Sequence, residues 1–63
     1  MALIAKKKSS GKWWAVTATS RKYIDSVDEA KELVYVGLAK WDDGQPFVLP
    51  DRMIDRLPEL KRP

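Results

Sequence analysis

Six cations, Lys6, Lys7, Lys8, Lys12, Arg21 and Lys22, fall within residues 1–24, and no acid accompanies them. Trp13, Trp14 and Tyr23 are interleaved with them. These two kinds of side chain act together on a polyanion. Ammonium and guanidinium groups neutralise phosphates and release counterions. Flat aromatic rings give bases a surface to stack on. Lys6, Lys7, Lys8, Lys12, Trp13, Arg21, Lys22 and Tyr23 are therefore the candidate binding residues, and DNA or RNA is the expected ligand. Residues 25–63 carry nine acids and six bases, so the two parts stand at +6 and −3. A solvated surface with unevenly distributed charges is the plainer account of the same pattern. No helix with Arg or Asn at groove spacing is evident, so little sequence preference is expected.

Other chemistry is poorly supplied. The chain has neither His nor Cys. It thus lacks the commonest general base, the commonest metal ligand and any disulfide framework. Ser9, Ser10, Ser20, Ser26, Thr17 and Thr19 stand beside no recognisable base motif, and the run SSGK at 9–12 lacks the spacing of a phosphate loop. Asp42 and Asp43 sit at a turn, where Asp is favoured for local hydrogen bonds. Asp25, Asp28, Glu29 and Glu32 do not follow calcium-loop spacing. The expectation is no enzyme, no metal and no cofactor. The apolar run at 2–5 is too short for a signal peptide or a membrane span, so a cytoplasmic protein without membrane contact is expected.

At 63 residues the chain makes one small domain with a modest core. The elements that must position the cations read as mostly β with some α. The expected fold is α+β: a small antiparallel sheet or SH3-like barrel of about 4–5 strands, a short C-terminal helix, and a helical turn near 27–33. Residues 1–12 form a basic arm, with residues 2–5 able to pair as an edge strand. Residues 13–60 form the globular domain, and residues 61–63 a frayed tail.

The strongest local signal lies at 33–50, where Asp43-Gly44 separates two runs of β-branched and aromatic residues. A type I′ hairpin is expected there, with Val34, Val36, Leu38, Phe47 and Leu49 on the core face. Tyr35, Gly37, Ala39, Trp41 and Val48 fall on the other face. Pro46 and Pro50 make the second strand an edge, or short. Residues 13–19 suit another strand, on which only one Trp of the pair can enter a one-sided core; the other must cover a second layer or stand in solvent, where it could stack on bases. Ser26 and Glu29 have the spacing of a capping box, and Val27, Ala30, Leu33 and Val34 recur at helical spacing. Asp51 is placed to cap a final helix carrying Met53, Ile54, Leu57 and Leu60, which Pro58 ends near Leu57.

The segment GQPFVLPDRMI resembles the end of an SH3-like barrel, where a strand runs through a Pro-containing turn into a short helical turn. It covers about a fifth of the chain. Size, basic charge, several strands and a C-terminal helix also resemble the small archaeal chromatin proteins of the Sul7d type. That resemblance is architectural, and it implies duplex DNA binding through a sheet face.

The alternative reading is a protein–protein interaction module or small regulatory or inhibitor protein, homodimeric in one version. Its motive is the aromatic outer face of the expected hairpin, with Tyr35, Trp41 and Val48 as contact residues.

Overall fold

The computed structural model describes residues 1–61. The fold is α+β: a five-stranded mixed sheet with two short helices. In chain order the elements are β1 (Ala2–Lys7), β2 (Trp13–Val16), β3 (Arg21–Ile24), α1 (Val27–Tyr35), β4 (Ala39–Lys40), β5 (Phe47–Leu49) and α2 (Asp51–Asp55). The sheet does not close into a barrel. No helix among the described residues is long and apolar enough to cross a membrane. The reading of residues 62 and 63 as tail lies outside the described residues.

β1, β2 and β3 form an antiparallel meander. α1 then returns the chain so that β4 and β5 both run parallel to β1 along its remaining edge. β4 takes Ala2 and Leu3, and β5 takes Ala5, Lys6 and Lys7. The sheet is thus mixed rather than wholly antiparallel. The edge strand expected at 2–5 lies instead in the interior of the sheet. Consecutive residues on a strand face opposite sides, and in β1 both Ile4 and Ala5 are buried. That requires cover on both faces.

Two small cores supply the cover. On one face Ile4, Ala15, Ile24, Ala30 and Ala39 pack together, with Trp13, Leu33, Val34 and Trp41 against them. On the other Ala5, Trp14, Val16, Ile54 and Leu57 pack together, flanked by Tyr23 and Leu49. The two tryptophans therefore go to different layers. Ala5 lies opposite Trp14 in the β1–β2 register, and its small side chain leaves room for the indole.

The hairpin expected at 33–50 does not form as such. Its turn does: Asp43 and Gly44 have φ of 52° and 82°, the two positive values of a type I′ turn. Asp42 and Gln45 close it with a pair of backbone hydrogen bonds, at 2.7 and 3.1 Å. The ladder stops there because Pro46 has no N–H to donate, and the flanking strands pair with β1 rather than with each other. Residues 42–45 form an exposed turn between Trp41, which packs on the core, and the buried Pro46.

Residues 33–35 belong to α1, not to a strand. The Ser26 side chain accepts from the Glu29 amide at 3.2 Å, half of the expected capping box. The Glu29 carboxylate turns instead to the Asp25 amide. At the other end Gly37, at φ 81°, closes a Schellman motif. Its N–H donates to the Val34 carbonyl and that of Leu38 to the Leu33 carbonyl. This stop leaves Val36 and Leu38 exposed and Val34, Phe47 and Leu49 only half-buried, whereas Ala39 is buried and Trp41 packs on the core. Val36 and Leu38 thus leave the expected core face and Ala39 and Trp41 the outer one, while Tyr35, Gly37 and Val48 are exposed as expected. α2 also differs in detail. Pro50 rather than Asp51 stands at its N-cap, without a side-chain cap, and the helix ends at Asp55, ahead of Leu57 and Pro58.

Candidate nucleic-acid interface

The eight candidate residues divide between the two faces of the sheet. Lys6 shares a face with Ile4, and Lys22 with Ile24, on the side covered by α1. Lys7 and Arg21 point to the opposite side, where α2 packs. Lys8 lies in the β1–β2 loop and Lys12 at its end; both are exposed.

The α2 side is a closed network. Arg21 lies over the Trp14 ring at 4.7 Å, and Lys7 over the same ring at 5.2 Å. Tyr23 meets Trp14 edge-on, with ring centroids 5.2 Å apart. Both cations pair with Asp55, and Arg21 also approaches Glu59 at 3.9 Å. The Arg21 Nε donates to the Leu57 carbonyl at 3.0 Å. The Arg21 backbone holds residues 58–60 at the edge of β3, accepting from Leu60 and donating to Pro58. With side chains only 16% and 17% exposed, Lys7 and Arg21 are engaged within the fold.

The stretch expected to be a basic arm is strand β1 followed by a hydrogen-bonded hairpin loop. The Lys7 amide donates to Lys12 and the Gly11 amide to Lys7, closing the turn. The Ser9 amide and hydroxyl both donate to the Asp51 carboxylate. Those bonds, with help from the Lys7 charge, hold the Asp51 pKa below the ordinary value of 3.8. A depressed folded-state pKa stabilises the fold fully above 3.8, and the contribution fades as pH falls below it. Asp51→Asn should therefore be less stable than the parent at pH 6, with a narrower gap at about pH 3, below the ordinary value of 3.8. Thermal melts at both pH values check this; a constant gap would show that the pairing adds no stability.

On the α1 side, Trp13 is half-buried, and no tryptophan stands fully in solvent: the pair covers two layers instead. Trp13 forms one wall of a groove of about 270 Å³, which runs between the β1–β2 loop and the start of α1. Ser10, Gly11 and Lys12 line one side, and Ile24, Asp25, Ser26 and Val27 the other, so one carboxylate faces the groove. Tyr23 borders it too, although its ring is committed to Trp14. Lys6 lies beside Trp13 in the β1–β2 register. Lys6, Lys8, Lys12 and Lys22 make no ion pair among the described residues.

The alternative contact residues lie on separate stretches of the chain. Tyr35 ends α1, Val48 lies on β5 beside Lys6, and Trp41 packs into the core. Sequence reasoning missed a different cluster: Tyr35 is 91% exposed, Val36 55% and Leu38 62%. Leu38 also accepts a hydrogen bond from the Ala2 amide, which brings exposed Met1 near. The signal was available in Gly37, since a helix stop there turns the next apolar residues outward. Among the described residues no group of His, Cys, Asp or Glu side chains could hold a metal ion. Comparison of the chain with protein-family models, with curated proteins and with solved structures finds no match.

Proposed function

We propose that this domain binds nucleic acid, single-stranded by preference, through the groove beside Trp13. The observation that carries the reading is the juxtaposition of a half-buried indole with Lys6, Lys8, Lys12 and Lys22, which make no ion pair among the described residues, against the single Asp25 on the groove's far side. Lys6, Lys8, Lys12 and Lys22 contact phosphates, and Trp13 stacks on a base. A groove rather than a flat face suits an unstacked base. Lys7 and Arg21 take no part in this site, because Asp55 and Glu59 already hold them.

This count of cations predicts the salt dependence. Four single-strand phosphate contacts give a slope of log affinity against log salt of about −2.8, or roughly a fiftyfold loss between 50 and 200 mM. Fluorescence titration with a (dT)12 oligonucleotide checks it. Absence of binding at 50 mM salt, or binding indifferent to salt, would remove the reading.

A second reading, a protein partner or a second copy of the chain, draws on the exposed Tyr35, Val36 and Leu38. An apolar cluster of this kind suits a protein contact. Sizing chromatography separates the two: a dimer dispersed by Tyr35→Ser, together with no oligonucleotide binding, would favour it.

A further inference from the structure

We infer that the α2 face of the sheet is a second polyanion-binding surface, held shut by the chain's own C-terminal carboxylates. Asp51, Asp55 and Glu59 recur every four residues. Each carboxylate engages a donor on the hairpin or the sheet: Asp51 takes Ser9, Asp55 takes Lys7 and Arg21, and Glu59 takes Arg21. A carboxylate and a phosphate oxygen accept from these donors in the same way, and the guanidinium fork fits both. Beneath the carboxylates lies an aromatic pair, Trp14 with Tyr23 at its edge, flanked by the same two cations. Aromatic rings bracketed by cations are what a single strand binds.

Two further observations fit a removable cover. The segment is anchored by two buried apolar side chains, Ile54 and Leu57, while Met53 and Leu60 stay exposed, and its five-residue helix has no side-chain N-cap. The Trp14 indole Nε1 is buried with no acceptor among the described residues. A buried donor without a partner is disfavoured, and a ligand oxygen entering as the cover lifts would satisfy it. The surface shares its ligand class with the groove beside Trp13 but none of the groove's lysines, so the two stand or fall separately.

The indole N–H signals of Trp13 and Trp14 in NMR spectra of the full chain, titrated with (dT)12, report on the two surfaces. For the parent protein the Trp14 signal should shift in a second, weaker step, with loss of amide protection over residues 51–57. In Asp55→Asn/Glu59→Gln that step should move to about tenfold lower oligonucleotide concentration, because the ligand no longer displaces two charged competitors. Asp28→Asn/Glu32→Gln makes the same change in net charge on the exposed side of α1, and should not move the step comparably. A Trp14 signal that stays still up to saturation in the parent overturns the inference, and so does a control that matches the Asp55/Glu59 variant. If that variant fails to fold, the parent titration still decides. A silent Trp13 with a responding Trp14 would remove the groove reading alone.

Discussion

Ile4→Ala should cost about 2–5 kcal/mol, the usual range for truncating a buried aliphatic side chain. The whole stability of a chain of 63 residues is on the order of 3–9 kcal/mol. The substitution should therefore unfold a large share of the molecules at 25 °C. The effect is large because Ile4 is fully buried on the central strand, against Ala15, Ile24, Ala30 and Ala39. Leu3, one position earlier and partly exposed, should lose well under half as much when truncated to Ala. Urea denaturation of the two variants makes the comparison. An unmoved midpoint for Ile4→Ala would mean that residues 1–7 are an appendage after all.

Arg21→Ala should cost about 2–4 kcal/mol. The side chain supplies a cation–π contact worth ~0.5–2 kcal/mol and charge-assisted hydrogen bonds worth ~1.5–3 kcal/mol. Its removal also leaves Glu59 without its partner and Trp14 half uncovered. Arg21→Lys should recover only a minor part, since an ammonium can neither stack flat on an indole nor bridge Leu57, Asp55 and Glu59. Lys6→Ala should do the reverse. It should stay within about 0.5 kcal/mol of the parent in stability, yet lower the magnitude of the salt slope for (dT)12 by about 0.7. Paired melts and titrations would show the exchange of roles. An Arg21→Ala protein as stable as the parent would contradict the closed network on the α2 side.

Local chemistry carried much of the fold, and the failures arose where distant residues decide. Asp43-Gly44 specified its turn, and Ser26 its helix start. Their effects are complete within four residues, so no distant contact could override them. What those signals could not supply was the partner of each strand. A strand after a turn usually pairs with the one before it, but here β1 was already available to both β4 and β5. The run Ala2-Leu3-Ile4-Ala5 did hold a clue. Four apolar residues without alternation suit a strand covered on both sides better than an edge. The candidate site fared similarly. The type of each cation was legible, and so was its place before the first acid. Which cations are neutralised was not, because Lys7 and Arg21 meet Asp55 across 48 and 34 positions of sequence. Lys6 and Lys7 are neighbours with opposite fates only because consecutive strand residues point to opposite faces.

The placement of β1 bears on how the protein is made. Its neighbours β4 and β5 leave the ribosome 37 and 42 positions after the β1 residues they pair with, since Ala39 pairs Ala2 and Leu49 pairs Lys7. At ordinary rates of synthesis the first strand waits roughly two to eight seconds for them. The early meander can form in that interval, but one flank of β1 stays open, with its amides and carbonyls offered to any passing strand. Nascent chains halted between residues 25 and 45 should therefore be the aggregation-prone species, and chaperone demand should fall once residue 49 has emerged.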